Sequence, residues 1–322
     1  MDKPRVFVTR QIPEEGIALL EQHAEVTVWL DEEPPPREIL LREVCRSDGL
    51  LCLLTDKIDA DVMDAGLSLV VISNYAVGVD NIDLAAAAER GIPVGNTPGV
   101  LTETTADLAF ALLLAVARRI VESDKYLRAC GWKAWGPTLF LGRDAHRATI
   151  GIIGMGRIGR EMARRANGFS MPILYTNSRP VPEVDSEFGA RRVELDELLR
   201  ESDFVSIHVP LTEQTRKLIG DKELSMMKPT AVLINTARGP MVDQVALYRA
   251  LKEKRIAGAG LDVFEEEPID CGEPILTLDN VVAVPHIGSA SVATRAKMAV
   301  MAAENVIAGL AGKPLPHEVK AK

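Results

Sequence analysis

The chain has 322 residues, of which 47% are hydrophobic and 26% are charged. These proportions are typical of a globular protein, and the length is enough for two domains. There are 37 basic and 46 acidic residues, for a formal net charge of −9, which disfavours binding to nucleic acid or to an anionic membrane. The four cysteines match no zinc-binding spacing, so we expect free thiols in a reducing cytoplasm and no bound metal. We find no signal-peptide pattern, and the apolar run at 108–117 is too short to span a bilayer.

The first third of the chain alternates short apolar stretches with amphipathic ones. We predict strands at 5–9, 25–29, 49–54, 69–73 and 92–95, and helices at 14–23, 36–46, 59–66 and 83–90. Such alternation is typical of a parallel sheet with helices on both faces.

The most specific motif lies in the middle of the chain. An apolar strand predicted at 149–153 runs into Gly154-Met155-Gly156-Arg157-Ile158-Gly159, and a helical stretch follows. In this setting the glycine pattern indicates a dinucleotide-binding turn. The first glycine permits the tight turn, the second lets a pyrophosphate approach the backbone, and the third lets helix and strand pack closely. The free N–H groups of the helix N-terminus would face the phosphates.

The rest of the chain continues the strand–helix alternation. Further strands are predicted at 172–176, 203–208, 231–235, 257–263 and 281–284, and helices at 106–121 and 291–310. We expect the helix at 106–121 to be buried in a core or a subunit interface. The pattern predicts a second doubly wound sheet, and therefore an α/β protein with two parallel-sheet domains.

Three ionisable residues each follow a predicted strand. Arg238, Glu267 and His286 would meet at one edge of the sheet, because ligands of open α/β sheets bind at the carboxyl ends of the strands. A guanidinium binds a carboxylate through two parallel hydrogen bonds, and an imidazole exchanges protons near neutral pH. A carboxylate beside the imidazole orients the ring and stabilises its positive charge. The alternative for each is an ordinary surface charge or a structural histidine.

The end of the strand at 172–176 bears on the choice of nicotinamide cofactor. An acidic residue that would bind the ribose 2′-hydroxyl of NAD is missing from 176–178, and Arg179 could bind a 2′-phosphate instead. We therefore predict that NADPH is preferred. The alternative is that Arg179 is a solvated loop residue and that NADH is accepted as well.

Several segments together resemble one enzyme family. Those at 154–159, 235–239, 262–268 and 285–289 resemble the four signatures of the D-2-hydroxy-acid dehydrogenases, and those at 77–83 and 96–107 resemble their substrate-loop and hinge signatures. Within that family, 131–135 and 171–179 are similar to the glyoxylate/hydroxypyruvate reductase branch, which includes 2-ketogluconate reductases. One departure is that the branch often has an arginine at the position of Ser178, whereas here the arginine is Arg179.

The resemblance implies a fold, a reaction and an assembly. It implies a Rossmann NAD(P)-binding domain at 100–289 and a discontinuous flavodoxin-like substrate domain at 1–99 and 290–322, with the substrate between them. Arg238 would bind the substrate carboxylate, His286 would donate the proton, and Glu267 would pair with His286. The expected reaction is NADPH-preferring reduction of glyoxylate, hydroxypyruvate and, as a further candidate, 2-ketogluconate to the D-2-hydroxy acid. The expected assembly is a homodimer, with 131–137 in an arm across the dimer; the alternative is that Trp132 and Trp135 belong to the core of their own subunit.

The same resemblance supplies the remaining contacts. Predicted substrate contacts are Leu54, Val77, Gly78, Arg238 and the partner subunit's Trp135. Predicted cofactor contacts are Thr104, Gly154, Met155, Gly156, Arg157, Ile158, Gly159, Asn177, Ser178, Arg179, Val209, Pro210, Thr236, Ala237, Arg238, Asp262, His286 and Gly288. Two alternatives stay open: a different D-2-hydroxy-acid specificity, and a nucleotide-sensing scaffold like the co-repressors of this superfamily, which keep the same Arg, Glu and His.

Overall fold

The computed structural model describes residues 3–319, and the chain forms two compact units. Unit 1 comprises the chain through Leu101 and again from Ser289 onward, and unit 2 is Thr102–Gly288. Each unit is built around its own parallel sheet.

The sheet of unit 1 has five parallel strands in the order β2-β1-β3-β4-β5. They are β1 (Arg5–Val8), β2 (Glu25–Val28), β3 (Gly49–Cys52), β4 (Val71–Asn74) and β5 (Val94–Gly95). The helices are α1 (Glu14–Glu21), α2 (Arg37–Val44), α3 (Ala60–Ala65), α4 (Leu84–Glu89) and the long helix Val292–Leu310. This strand order is the flavodoxin-like one, whose topological switch point lies between β1 and β3.

The central strands β1, β3 and β4 are buried on both faces, which explains why they contain runs of apolar residues. Phe7, Leu50 and Ile72 point into one core, and Val6 and Leu51 point into the other. The second core is closed by the long helix and by α1. Gly16 allows the close approach of these two helices, because a Cβ there would lie 2.7 Å from Ala299.

Unit 2 contains seven parallel strands in the order β12-β11-β10-β9-β6-β7-β8. They are β6 (Ile150–Ile153), β7 (Ile173–Thr176), β8 (Arg191–Arg192), β9 (Phe204–Ile207), β10 (Val232–Asn235), β11 (Gly258–Leu261) and β12 (Val281–Ala283). The helices are α5 (Thr102–Ala117), α6 (Ile120–Arg128), α7 (Arg157–Gly168), α8 (Pro182–Phe188), α9 (Leu195–Glu201), α10 (Asp221–Met226) and α11 (Gln244–Lys252), which makes the long helix of unit 1 α12. The order is that of the Rossmann fold with a seventh strand added, and its switch point lies between β6 and β9. The predicted fold class is confirmed.

The structure corrects two predicted elements. The helix expected at 106–121 begins at Thr102 and ends at Ala117, because Arg119 has a left-handed φ of 53° that ends one helix before α6 begins. Strand β8 was missed, because it consists of two exposed arginines at the edge of the sheet and has no apolar pattern.

Candidate active site

The glycine-rich turn sits at the switch point of the unit 2 sheet. Gly154 follows β6 with a φ of +98°, and a Cβ there would lie 2.7 Å from Val209. A Cβ on Gly159 would clash with the carbonyl oxygen of Gly154, so only glycine lets α7 start this close to the strand. A Cβ on Gly156 would meet nothing within 4 Å, and no side chain caps the helix that begins at Arg157. The backbone of the first turn, including Ile158, is therefore open to a ligand.

A second loop beside this turn follows β7. The side-chain oxygen of Asn177 accepts a hydrogen bond from the Met155 N–H at 3.3 Å, and its amide nitrogen donates to the carbonyl of Arg179 at 2.9 Å. Ser178 and Arg179 are exposed. Arg192 donates from Nε to the carbonyl of Asn177 at 3.1 Å, which places a second guanidinium beside this loop.

The cofactor residues expected after β9 and β10 lie at the same edge of the sheet. Val209 and Pro210 follow β9, and Thr236 and Ala237 follow β10. The Thr236 hydroxyl is buried and has no hydrogen-bond partner among the described residues. A buried polar group of this kind is costly unless something else bonds to it. Together with the open turn at Gly156, this hydroxyl fits a bound dinucleotide.

One histidine at this edge was not predicted. His208 follows β9 and its Nε2 lies 2.8 Å from the Ser206 hydroxyl. Burial lowers the pKa of His208 to about 4, so the ring is neutral at physiological pH and adds no charge to the site.

The Arg238 loop is shaped by the strand that precedes it. Asn235, at the end of β10, accepts from the Ala237 N–H at 3.1 Å and donates to the Arg238 carbonyl at 2.9 Å. The Arg238 guanidinium donates to the Ala237 carbonyl at 2.8 Å. Gly239 lies so close to the next loop that a Cβ would collide with the Phe264 carbonyl. The loops after β10 and β11 are therefore packed against each other.

Glu267 and His286 form a hydrogen-bonded pair. Glu267 Oε2 lies 2.7 Å from His286 Nδ1, and Oε1 accepts from the Phe264 N–H at 3.0 Å. Both side chains are 26% exposed. Burial alone would raise the pKa of Glu267, but the hydrogen bond and charge of His286, the Phe264 N–H and the charge of Arg238 outweigh burial and lower it. Glu267 is thus ionised at neutral pH, and its bond to Nδ1 leaves Nε2 of His286 for a substrate.

Asp262 holds the turn that carries His286. Its two carboxylate oxygens accept from the N–H groups of Ile287 at 2.6 Å and Gly288 at 2.8 Å, and its carbonyl accepts from the His286 N–H at 3.0 Å. His286 has a left-handed φ of 50°, a conformation that costs free energy in a non-glycine residue. Burial raises the pKa of Asp262 to about 6. The Gly288 carbonyl in turn accepts from Thr105 at 3.1 Å, next to Thr104 on α5.

In unit 1, the predicted substrate residues lie in two loops at the carboxyl end of the sheet. Leu54 follows β3, and Val77 and Gly78 follow β4. All three are half-buried.

The segment before the Rossmann sheet exposes large apolar side chains. Trp132 is 56% exposed and Trp135 is 80% exposed. The alternative that both indoles pack in the core of their own subunit is therefore wrong. Helix α6 has no buried residue, and Ile120, Leu127 and Leu141 are also exposed.

Residues 3–319 contain neither a membrane-spanning helix nor a candidate metal centre. None of their helices has the length and apolar content needed to cross a bilayer. They also contain no group of three or more His, Cys, Asp or Glu side chains placed to hold a metal ion.

Comparison with known protein families identifies the family to which this chain and its candidate active site belong. The model of the D-isomer specific 2-hydroxyacid dehydrogenase NAD-binding domain matches residues 110–288. The chain belongs to the D-isomer specific 2-hydroxyacid dehydrogenases. The predicted family is confirmed, and the protein is an NAD(P)-dependent enzyme that acts on small 2-hydroxy or 2-oxo acids.

Relatives within this family cover the chain almost completely. A glyoxylate reductase of Korarchaeum cryptofilum is 56% identical over 318 residues, which are 98% of this chain and 96% of that protein. A glyoxylate reductase of Thermococcus litoralis is 53% identical over 321 residues, covering 98% of this chain and 97% of the relative. A crystal structure from Thermus thermophilus matches with a TM-score of 0.93 at 48% identity, covering 98% of this chain and all of that one. The match to an NADPH-dependent glyoxylate/hydroxypyruvate reductase from Sinorhizobium meliloti, solved with NADP and malonate, has a TM-score of 0.86 at 33% identity. It covers 99% of this chain and 97% of that one.

The geometry also shows two residues of this dehydrogenase that the sequence did not predict. Asn235 shapes the loop that carries Arg238, and Arg192 reaches the loop after β7. Asn235 lies inside a recognised motif, so its position at the end of a buried strand was the available signal. Asp262 was predicted as a cofactor contact, and the structure adds that it holds the turn that carries His286. No sequence signal pointed to Arg192, because its strand was not predicted.

Proposed function

We propose that this enzyme reduces glyoxylate and hydroxypyruvate to the corresponding 2-hydroxy acids, with 2-ketogluconate as a further candidate substrate. The observation that carries the proposal is the 2.7 Å pair of Glu267 and His286, next to an arginine loop packed on the loop of Glu267. The names of the glyoxylate reductases that are more than half identical to this chain support the choice of substrate.

Each residue has a distinct role in the proposed reaction. Arg238 binds the substrate carboxylate through its planar guanidinium. A bound reduced nicotinamide supplies the hydride to the keto carbon. His286 donates the proton from Nε2 to the oxygen that becomes negative as the carbonyl is reduced, so hydride and proton together convert the ketone or aldehyde to an alcohol. Glu267 keeps the ring oriented and balances its charge, and Asp262 keeps the His286 turn in place.

The cofactor proposal is a preference for NADPH over NADH. Its support is the pair of guanidinium groups beside the loop after β7 and the lack of an acidic residue at 176–178. A 2′-phosphate would be attracted by Arg179 and Arg192, whereas the 2′-hydroxyl of NADH gains little from them. The Sinorhizobium meliloti enzyme, which is NADPH-dependent by name, is consistent with this choice.

The assembly proposal is a homodimer. A contiguous exposed apolar patch is typical of an interface, and we infer one from 120–141, where Ile120, Leu127, Trp132, Trp135 and Leu141 have large exposed fractions. We propose that this segment packs against a second copy, with the partner subunit's Trp135 close to the substrate. Light scattering should give twice the mass of the chain, and a fully active monomer would contradict the proposal.

A substrate panel tests the proposed reaction. Initial rates are measured by the loss of reduced-nicotinamide absorbance with glyoxylate, hydroxypyruvate and 2-ketogluconate, and with neutral ketones and aldehydes as controls. The 2-oxo acids should be reduced with the higher kcat/KM, because the neutral carbonyls lack the carboxylate that Arg238 binds. A neutral ketone that is a better substrate than glyoxylate would refute the proposal. Running the panel with both NADPH and NADH tests the cofactor preference in the same experiment.

A further inference from the structure

Three successive backbone carbonyls of the loop after β4 are each held by a hydrogen bond. The Ala76 carbonyl accepts from the Thr97 N–H at 2.9 Å, the Val77 carbonyl from Asn96 Nδ2 at 2.8 Å, and the Gly78 carbonyl from Asn74 Nδ2 at 2.8 Å. The donors belong to β4 and to the segment that follows β5. All three carbonyls are therefore turned toward the body of the unit 1 sheet.

The direction of these carbonyls sets the direction of three N–H groups. A trans peptide is planar, so its N–H points opposite to its C=O. The N–H groups of Val77, Gly78 and Val79 thus point away from the sheet. Within the described residues these three N–H groups donate no hydrogen bond. Three adjacent donors that all lack an acceptor suit an anionic ligand such as a carboxylate.

Asn74, which donates to the Gly78 carbonyl, also connects this loop to the loop that carries Leu54. Asn74 donates to Asn81 Oδ1 at 2.9 Å, and Asn81 donates to the carbonyls of Leu53 at 2.9 Å and Asp56 at 3.0 Å. Asp56 closes its own loop by accepting from the Leu53 N–H at 2.7 Å. The two predicted substrate loops of unit 1 are therefore joined by side-chain amides.

A fourth asparagine, Asn305, is hydrogen-bonded to the backbone of Asn96. Asn305 of α12 is fully buried, donates to the Asn96 carbonyl at 3.0 Å, and accepts from the His317 N–H at 3.0 Å. Buried amides with all their hydrogen bonds formed are rigid and specify one local structure. The position of Asn96, and with it the Val77 carbonyl, is fixed from the interior of the unit.

We propose that Asn74 and Asn96 are positioning residues for substrate binding, which act by turning the N–H groups of Val77, Gly78 and Val79 toward the substrate carboxylate. The proposal rests on the proposed function, since it concerns the carboxylate of a 2-oxo acid. Neither side chain needs to touch the substrate. Each acts through the carbonyl that it holds.

Asn96→Asp tests the proposal, because it keeps the size of the side chain and replaces the donor to Val77 by an oxygen that repels the carbonyl. The KM of the best 2-oxo acid of the panel should rise about 10- to 100-fold, the range expected for losing a hydrogen bond to a charged group. The Michaelis constant for NADPH should stay the same within a factor of about two, because the nucleotide turn belongs to unit 2.

The matched control is Asn280→Asp. Asn280 also donates to backbone carbonyls, those of Leu251 at 3.3 Å and Ala257 at 3.2 Å, but it precedes β12 at the amino end of the unit 2 sheet. It should lower the thermal unfolding midpoint without changing the KM of the 2-oxo acid. An unchanged substrate KM in Asn96→Asp, or an equal rise in both variants, would overturn the proposal.

Hydrogen–deuterium exchange is a second test, and it measures directly whether the backbone N–H groups at 76–80 become protected when an anion binds. Peptides covering 76–80 should exchange fast in the free protein and become protected when oxalate is added with oxidised cofactor. No added protection at 76–80 would overturn the proposal even in an active enzyme. If the 2-oxo acids are not reduced, the proposed function fails, but the role of the asparagines stands if oxalate protects 76–80 in the wild type and not in Asn96→Asp.

Discussion

The carboxyl ends of the two sheets carry different chemistry. In unit 2 the strand ends present ionisable side chains, namely Arg238, Asp262, Glu267 and His286. In unit 1 the corresponding edge presents backbone N–H groups held in place by buried or half-buried asparagines. The same architecture therefore provides charge and protons from one sheet and neutral, oriented donors from the other.

Substitutions at the two edges should therefore change different kinetic constants. Loss of a charged group that takes part in the chemistry acts on the transition state, so it lowers kcat. Loss of a positioning amide weakens a contact made equally in the bound substrate and the transition state, so it mainly raises KM.

His286→Asn should lower kcat by about 10²- to 10⁴-fold, the usual contribution of general acid catalysis. Cofactor affinity should change little, because Asn is uncharged and smaller than the imidazole. The control is His146→Asn, at an exposed histidine of unit 2, which should leave kcat unchanged. Steady-state kinetics on folded protein would contradict the assignment if His286→Asn kept near-wild-type turnover.

Glu267→Gln should change the pH dependence of the reduction. The folded-state pKa of Glu267 is lowered, so its carboxylate stays ionised and hydrogen-bonded to His286 at neutral pH. The negative charge is lost only as the pH falls through that lowered pKa. Without the negative charge, the proton donor loses its electrostatic partner, and the pH profile of kcat/KM for reduction should move to lower pH. Glu266→Gln, in the same loop but exposed, should leave the pH profile of kcat/KM unchanged. A profile that does not move in Glu267→Gln would show that the pair does not govern the proton donor.

Arg179→Ala should have the smallest effect, and only on one cofactor. The KM of NADPH should rise by about 5- to 10-fold, the upper part of the range for an ordinary hydrogen bond because the site is exposed, while that of NADH changes less than twofold. Arg191→Ala is the matched control, because its guanidinium pairs with Glu197 and Glu201. Equal effects on NADPH and NADH would show that Arg179 does not bind the 2′-phosphate. Arg192→Ala, measured in parallel, tests whether the second guanidinium contributes.

The sequence predicted the charged residues of unit 2 but not all the bounds of its helices. Each charged residue of unit 2 lies in the loop after a strand of apolar sequence, and the strands concerned are neighbours in the sheet, so Arg238, Glu267 and His286 could be placed before the fold was known. The start of α5 could not, because the polar residues at 102–105 hide the first turn of an apolar helix. The break at Arg119 depends on a left-handed φ that no pattern encodes.

The positioning residues of unit 1 were beyond sequence reasoning for a different reason. Asn74, Asn81 and Asn96 bond mostly to backbone carbonyls, and which carbonyl lies near an amide depends on the folded path of the loops. Strand β8 was missed since an edge strand of two exposed arginines carries no apolar signal. A charged residue after a predicted strand can be recognised from the sequence, whereas the direction of backbone N–H and C=O groups in a loop cannot.

Arg238→Lys shows whether Arg238 binds the carboxylate of a 2-oxo acid through its guanidinium. A lysine keeps the positive charge but lacks the planar pair of donors. The measurement is kcat/KM for glyoxylate and hydroxypyruvate in the wild type, in Arg238→Lys and in Arg238→Ala. The lysine variant should lose about 10- to 100-fold in kcat/KM and the alanine variant more, since a bond to a charged group is first weakened and then removed. If lysine at this position supports wild-type kcat/KM, Arg238 does not bind the carboxylate bidentately and its proposed role is wrong.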